Sequence, residues 1–169
     1  FHEIDVSVSK LDSLFNDIDI VIHLAAITDA ANSFNNSEEV ERNNLQATKN
    51  VANSALNTDT KLIFLSSTSV YGTQKDVVDE DCSEEELMPQ SPYAETKLKE
   101  EELIASLGFK GLKYICCRFG TIFGVSQGMR FHTAVNKFCW QAVMGQEISV
   151  WETAFEQSRP YLDLYDASR

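Results

Sequence analysis

The sequence is poor in basic residues, and this shortage limits what the protein can bind. Its 169 residues contain 14 Lys and Arg against 26 Asp and Glu, which gives a formal net charge of -12 and a pI near 4.6. Nucleic acids and anionic membrane surfaces are themselves negative, so they repel a chain of this charge. We therefore expect no nucleic-acid partner and no membrane partner, and any anionic ligand needs a local cation.

The sequence also lacks the cysteine spacing that metal sites and disulfide frameworks use. Cys82, Cys116, Cys117 and Cys139 include no C-x-x-C pair, and no paired histidines accompany them. Two adjacent cysteines in an apolar run are typical of buried free thiols in a reducing compartment. No apolar run has the length of a membrane span, and the N-terminus has no signal-peptide pattern. These absences predict a cytoplasmic protein without a metal site.

Strand-like and helix-like segments alternate along the first 124 residues. In order they are a strand at 18–26, a helix at 37–56 with Ser37 as its N-cap, a strand at 61–65, a helix at 92–108 and a strand within 112–124. The first strand is apolar throughout, which is typical of a strand buried on both faces of a parallel sheet. Strands joined by helices suit right-handed crossovers, so the order predicts an α/β fold with a doubly wound, Rossmann-like parallel sheet.

The pattern changes after residue 124, where a helix ending at Gly145, a strand at 147–151 and a last element at 159–169 are predicted. We therefore divide the chain into a partial Rossmann-like domain at 1–124 and the start of a second region at 125–169.

Small and polar residues follow each predicted strand, at the edge where open parallel sheets bind ligands. They are Ala25 and Ala26, the hydroxyl run 66–69, and the segment 119–121. Ser, Thr and Gly also terminate strands without any function, so this placement alone leaves both interpretations open. His23 precedes the small residues, and we interpret it as a structural histidine.

Two Tyr-x-x-x-Lys pairs occur, and only one lies on a predicted helix. Tyr71 and Lys75 enclose Gly72 in a loop, whereas Tyr93 and Lys97 follow Pro92 at the start of a helix, where residues four apart share a face. A tyrosine acts as a base near neutral pH only if a cation stabilises its phenolate, because the ordinary pKa of tyrosine is about 10. With a hydroxyl from Ser67, this pair suits removal of a proton from a sugar or alcohol hydroxyl while hydride leaves its carbon.

Five motifs in this order resemble the extended short-chain dehydrogenase/reductases, and more narrowly the NAD-dependent epimerase/dehydratase family of nucleotide-sugar enzymes. They are HLAA at 23–26, NNLQAT at 43–48, SSTSVYG at 66–72, SPYAETK at 91–97 and RFGTIFG at 118–124. The resemblance implies NAD as the cofactor, with NADP not excluded, and a nucleotide sugar as the substrate. It also implies a homodimer for the full-length protein, a cofactor-binding role for 1–124 and a substrate-binding role for 125–169.

Site residues follow from the same resemblance. Tyr93 is implied as the general base, Lys97 as its electrostatic partner and a ligand of the nicotinamide ribose, and Ser67 as the hydroxyl that orients the substrate. Further cofactor contacts are implied for Asp5, Leu24, Ala25, Ala26, Asn44, Ser66 and Phe119. Further substrate contacts are implied for Thr68, Thr121 and Arg159, with the Arg159 guanidinium on the diphosphate.

Two departures from the family pattern shape the functional hypothesis. The glycine-rich phosphate loop is absent from this chain, so we interpret the chain as a fragment that binds dinucleotide poorly by itself. Family dehydratases carry an Asp-Glu pair directly after the active hydroxyl, where this sequence has Thr68 and Ser69. We therefore favour an epimerase. A keto-sugar reductase or dehydrogenase of the same fold and a non-catalytic dinucleotide-binding relative remain as alternatives.

Overall fold

Strands and helices alternate in the computed structural model, which describes residues 1–28, 32–72, 77–156 and 158–169. The chain divides into two compact units, residues 1–118 and residues 119–169, and each is described by itself. Up to the junction of the units the elements are α1 (Asp12–Phe15), β1 (Ile20–His23), α2 (Ser37–Asn57), β2 (Lys61–Ser67), α3 (Pro92–Gly108) and β3 (Tyr114–Phe119).

β1, β2 and β3 form one sheet in that order, with β2 in the centre. β1 and β2 run parallel, and their register sets Ile20 opposite Lys61 and His23 opposite Phe64. Parallel strands joined by helical crossovers confirm the predicted Rossmann-like α/β fold. The ends of β1 and β2 therefore meet at one edge of the sheet.

The core lies on one face of this sheet, beneath both long helices. Leu62 and Phe64 of β2 are fully buried, and they pack with Val51 of α2 and Ile104 of α3. Leu62 and Phe64 are two residues apart, so they point to the same face of the strand. Two right-handed crossovers that step in the same direction across a sheet place both helices on one face, which explains why α2 and α3 share this core.

The prediction that the first strand is buried on both faces is wrong. Ile20 is 48% exposed and Ile22 is 59% exposed, whereas His23 is buried. Side chains alternate along a strand, so Val21 and His23 face the helices while Ile20 and Ile22 point to the opposite face. β1 is also an edge strand of the described sheet, with β2 as its neighbour.

The two long helices begin differently. At α3 the Ser91 hydroxyl accepts a hydrogen bond from the Ala94 N–H at 3.2 Å, and Pro92 occupies the first turn, where its missing N–H costs nothing. The predicted bounds of α3 are thereby confirmed. At α2 the N-cap is Asn36 and Ser37 is already helical, so the predicted cap is wrong by one residue.

The second unit contains a separate pair of parallel strands. Its elements are β4 (Thr121–Phe123), α4 (Ala134–Val143), β5 (Tyr161–Asp163) and α5 (Leu164–Ala167). β4 pairs with β5, so the apolar run predicted as a third strand is in fact two strands of different sheets, divided at Gly120. The predicted strand at 147–151 is wrong, since this segment pairs with no strand of the described residues and Ile148 is 50% exposed.

The boundary between the two compact units lies after Arg118, whereas the change in sequence pattern lies after residue 124. The assignment of cofactor and substrate roles to 1–124 and 125–169 stays a prediction.

All four cysteines are free thiols. Burial, together with the nearby Glu101 carboxylate, raises the pKa of Cys116 to about 12, so this thiol stays protonated. Among the residues that the structure describes, no helix is both long and apolar enough to cross a bilayer, and no cluster of metal-ligating side chains occurs.

Candidate active site

Ser66 and Ser67 end β2, and a short 3₁₀ turn follows them. The Ser67 oxygen accepts hydrogen bonds from the Ser69 N–H at 3.2 Å and from the Ser69 hydroxyl at 2.8 Å, and so caps the turn Thr68–Tyr71. These bonds occupy the acceptor side of Ser67 and leave its own hydroxyl hydrogen for another acceptor. The turn packs against α3.

Tyr93 and Lys97 lie one turn apart near the start of α3. The Tyr93 N–H donates to the Ser33 hydroxyl at 3.3 Å, which ties the start of the helix to the segment after β1. The Lys97 ammonium lies 6.0 Å from the centre of the Tyr93 ring and 4.6 Å from the centre of the Phe64 ring. A cation over aromatic faces is attracted by their quadrupoles, so both rings hold the ammonium in place.

Lys97 is almost completely withdrawn from solvent. Its side chain is 4% exposed, and its ammonium forms an ion pair of 3.1 Å with Glu100, whose side chain is 1% exposed. A buried charge is costly unless an opposite charge or hydrogen bonds compensate it. The fold therefore supplies Lys97 with a buried counter-charge on the same helix.

A chain of buried polar side chains extends from this ion pair to β1. Glu100 accepts a hydrogen bond from the Thr48 hydroxyl on α2, and the Thr48 oxygen lies 3.1 Å from Nε2 of His23. Burial lowers the pKa of His23 to about 4, and the nearby Lys97 charge acts in the same direction. His23 is therefore a neutral member of the network at physiological pH.

Asn44 on α2 holds the loop that follows β1. Its side-chain oxygen accepts from the Ile27 N–H at 2.8 Å and its amide donates to the Ile27 carbonyl at 2.9 Å. Leu24 and Ala25 in this loop are exposed and Ala26 is half-buried. The loop thus offers small, accessible residues on a fixed backbone at the end of β1.

Two other predicted cofactor residues in this unit differ in setting. The Ser66 hydroxyl is buried and has no hydrogen-bond partner within the described ranges. Asp5 is exposed, and its carboxylate accepts from the hydroxyl and N–H of Ser7 at 2.6 Å and 2.9 Å, which lowers its pKa. Asp5 lies in an N-terminal turn that Asn50 of α2 ties down through the Val6 carbonyl.

The second unit contains three more of the predicted residues, Phe119, Thr121 and Arg159. The Thr121 N–H donates to the Pro160 carbonyl at 3.0 Å, so exposed Thr121 lies beside the segment that carries exposed Arg159. Phe119 lies two residues before Thr121 and is partly buried. A cation and a hydroxyl on adjacent strand ends suit an anionic, hydroxylated ligand.

Glu100 and Thr48 were missed as site residues by the sequence analysis. Glu100 is three residues after Lys97, a spacing that places both on one helix face, so the ion pair had a local signal. Thr48 had none, because its contact with Glu100 joins residues 52 positions apart. Lys75 of the second Tyr-x-x-x-Lys pair lies outside the described residues.

Comparison with known proteins gives a family match over the whole chain. The model described as the NAD dependent epimerase/dehydratase family matches residues 1–169. An uncharacterized UDP-glucose epimerase of Bacillus subtilis (strain 168) is 32% identical over 139 residues, which are 79% of this chain and 43% of that protein.

Two further matches differ in their named activities. A UDP-N-acetyl-alpha-D-glucosaminuronate decarboxylase of Bacillus cytotoxicus is 27% identical over 165 residues, covering 94% of this chain and 50% of that protein. The structure of UDP-glucuronic acid 4-epimerase from Bacillus cereus in complex with UDP-glucuronic acid and NAD is 27% identical with a TM-score of 0.83, covering 97% of this chain and 51% of that one. The chain spans about half the length of these relatives or less.

Proposed function

We propose, from the premise that the chain belongs to the NAD-dependent epimerase/dehydratase family, that it is part of a nucleotide-sugar epimerase with Tyr93 as its base. One observation carries the proposal: the Tyr93 ring lies 6.0 Å from a buried ammonium, that of Lys97, on a helix packed against the turn after Ser67. A phenol beside a desolvated cation is the arrangement that makes tyrosine a base near neutral pH.

The residues present fit one end of a dinucleotide. Ser66 has a buried hydroxyl without a partner in the described residues, and the loop after β1 offers Leu24, Ala25 and Ala26, all accessible to some degree. With Lys97 and Asn44, these residues would hold the nicotinamide ribose. NAD bound there would supply the hydride chemistry, as acceptor and donor. The 169 residues contain no glycine-rich phosphate loop, so we expect them by themselves to bind dinucleotide poorly.

The chain's own residues manage the proton and the sugar. The Tyr93 phenolate takes the proton from one sugar hydroxyl and returns it at the end, so the enzyme is unchanged after each turnover. The Lys97 ammonium stabilises the phenolate form of Tyr93 before the proton is transferred to it. The Ser67 hydroxyl, whose oxygen already accepts two hydrogen bonds from Ser69, would donate its own hydrogen to the reacting sugar oxygen and fix the orientation of the sugar.

We assign the nucleotide diphosphate to the second unit. Arg159 presents a forked guanidinium beside Thr121, and in a chain of net charge -12 a dedicated cation is needed to hold two phosphates. Thr68, half-buried in the turn after Ser67, would contact the sugar. Asp5 and Phe119 are assigned to the cofactor on the resemblance alone.

Epimerisation is favoured over dehydration by the turn after Ser67. The two positions that follow it carry the hydroxyls of Thr68 and Ser69, and the Ser69 hydroxyl is engaged with Ser67. Hydroxyls of this kind do not protonate a leaving water, whereas carboxylic acids do. A keto-sugar reductase of the same fold is the alternative, and it would consume reduced nicotinamide in proportion to product.

Replacement of Tyr93 by Phe tests the base. In the full-length protein we expect Tyr93→Phe to lower kcat by about a thousandfold, since only the phenolic oxygen is lost, while cofactor binding persists. Tyr114→Phe at the start of β3 is the matched control and should leave kcat unchanged. Turnover that survives Tyr93→Phe would refute the assignment. Steady absorbance of reduced nicotinamide during turnover would support the epimerase, and a stoichiometric change would refute it.

We also infer a homodimer in the cytoplasm. α2 and α3 lie side by side, and each exposes charges of both signs, Glu38 and Arg42 on α2 and Glu95 and Lys99 on α3. A second copy that sets its α3 against α2 can therefore place unlike charges opposite one another. The four free cysteines support a reducing compartment. Light scattering of the full-length protein tests the dimer, and a monomer mass would contradict it.

A further inference from the structure

Glu100 is the most deeply buried acidic side chain of the described residues, and the proposed proton transfer does not yet use it. One carboxylate oxygen accepts a hydrogen bond from the Thr48 hydroxyl, while the other has no hydrogen-bond partner among the described residues and lies 3.1 Å from the Lys97 ammonium in an ion pair. A hydrogen bond from α2 and an ion pair on α3 thus hold the carboxylate, so its position is set by the fold and not by solvent. This buried carboxylate is therefore the counter-charge of Lys97.

The other ion pairs of the described residues provide a contrast. Glu101, the next residue, pairs with Arg118 at 2.7 Å with both side chains partly exposed, at 11% and 18%. Lys99 pairs with Glu41 at the surface, where both side chains are more than 40% exposed. Water screens such pairs, and exposed pairs contribute little. In the Lys97–Glu100 pair, by contrast, both side chains are buried. Neither charge is stabilised by water, so each is stabilised by the other.

We propose that Glu100 is a positioning residue for the Tyr93–Lys97 pair, keeping Lys97 charged and fixed beside the phenol by a buried carboxylate. The inference rests on the proposed function of Tyr93 as the base. Without the carboxylate, Lys97 would lie over Phe64 with no counter-charge, and burial disfavours an uncompensated ammonium. A neutral Lys97 no longer stabilises the phenolate.

The surroundings of Lys97 contain few other charges. The titratable groups that face it are Tyr93 and Glu100 on its own helix and His23 on β1, which is neutral at physiological pH. α2 contributes the uncharged Thr48, which donates to Glu100, and β2 contributes the Phe64 ring. Within the described residues, no second anion is placed to take over from Glu100.

Glu100→Gln is the decisive variant, because it keeps the volume and an oxygen for Thr48 while it removes the charge. In the full-length protein we expect kcat to fall about ten- to one-hundredfold and the acid limb of the kcat profile to move up by about one pH unit. Glu102→Gln, an exposed glutamate on the same helix, is the matched control and should change neither. An unchanged or downward-shifted acid limb in Glu100→Gln would overturn the proposal.

A second readout does not depend on turnover. The ¹Hε resonances of Lys97, assigned by their loss in Lys97→Met, report whether the side chain stays fixed over the aromatic rings. In the unmodified protein we expect ring-shifted resonances, because the ammonium lies 4.6 Å from the centre of the Phe64 ring, and in Glu100→Gln we expect resonances closer to those of a free lysine. Ring-shifted resonances in both proteins would overturn the proposal.

Two outcomes separate this inference from the function on which it rests. If Tyr93→Phe retains turnover, the assigned base is wrong; if it loses turnover while Glu100→Gln behaves like Glu102→Gln, only the role of Glu100 is wrong. Should Glu100→Gln fail to fold, Thr48→Val removes the hydroxyl that donates to Glu100. We then expect an upward shift of the acid limb of a smaller size, and its absence would also overturn the proposal.

Discussion

Residues 1–118 and residues 119–169 bury different kinds of side chain. In the first unit the helices cover Leu62, Phe64 and Ile104 completely. Of the described residues in the second unit, Asn136 alone is buried, and its amide bonds the Gly124 N–H at 3.2 Å and the Arg130 carbonyl at 3.0 Å. Apolar burial stabilises the first unit, whereas backbone pairing and one amide organise the second.

This difference suits the two roles that we propose for the units. A charged pair such as Lys97–Glu100 needs surroundings that exclude water, and the first unit provides them. A phosphate ligand carries its charge in solvent, so the exposed guanidinium that we assign to it, Arg159, can lie at the surface of the second unit. The proposed proton transfer thus belongs to the first unit and the proposed diphosphate contact to the second.

Removal of a buried ring should produce the largest effect. We expect Phe64→Ala to lower the free energy of unfolding by about 3–5 kcal/mol, because it deletes a fully buried side chain and leaves a cavity. Phe155→Ala in the second unit removes a ring that is 76% exposed, and it should change stability by less than about 0.5 kcal/mol. Denaturant unfolding measures both, and similar losses would contradict the comparison.

Acid should weaken the first unit through His23. Its pKa is about 4 in the fold and about 6.5 when unfolded, so below pH 6.5 the unfolded chain binds the extra proton and stability falls. The loss is complete near pH 4 and amounts to about 3 kcal/mol, while above pH 6.5 this contribution is constant.

His23→Gln isolates this contribution. Its stability should change less between pH 7 and pH 4 than that of the unmodified protein, and the difference between the two curves gives the part due to His23. Phe155→Ala, which removes an exposed and uncharged side chain of the second unit, should leave the pH dependence as it was. Coincident curves for His23→Gln and the unmodified protein would contradict the prediction.

A methyl group at Gly120 should have the smallest effect, confined to the second unit. An added Cβ would lie 2.6 Å from the Pro160 carbonyl oxygen, which is also the acceptor for the Thr121 N–H. We expect Gly120→Ala to cost about 1–2 kcal/mol and to speed hydrogen exchange at Thr121. Gly128→Ala meets no atom within 4 Å and should do neither. Equal exchange rates in the two variants would show that the contact is relieved elsewhere.

Local signals account for the parts of the fold that the sequence predicted well. Ser91 and Pro92 define the start of α3 within one turn of chain, and the predicted end at Gly108 agrees with the structure. No local sequence signal indicated that Ile20 and Ile22 are exposed. A strand that is apolar throughout has the same sequence pattern whether one or both of its faces are covered. The segment 147–151 has strand-like residues but no partner strand, which sequence alone does not reveal.

In the candidate site, too, contacts within one helix were predicted from the sequence and contacts between elements were not. Helical spacing was enough to place Lys97 on the face of Tyr93, since both lie on α3. The buried chain from His23 through Thr48 to Glu100 crosses three elements, and only the packing of α2 against α3 creates it. His23 was predicted as a structural histidine, and in the structure it is a buried, neutral member of this series of polar side chains.

The unpaired edge of β1 affects how this protein behaves in concentrated solution. Within the described sheet β1 has β2 on one side, and its other side presents backbone N–H and C=O groups next to exposed Ile20 and Ile22. An edge strand with apolar side chains is a template for pairing with another copy. We therefore expect a preparation of these 169 residues to aggregate as its concentration rises.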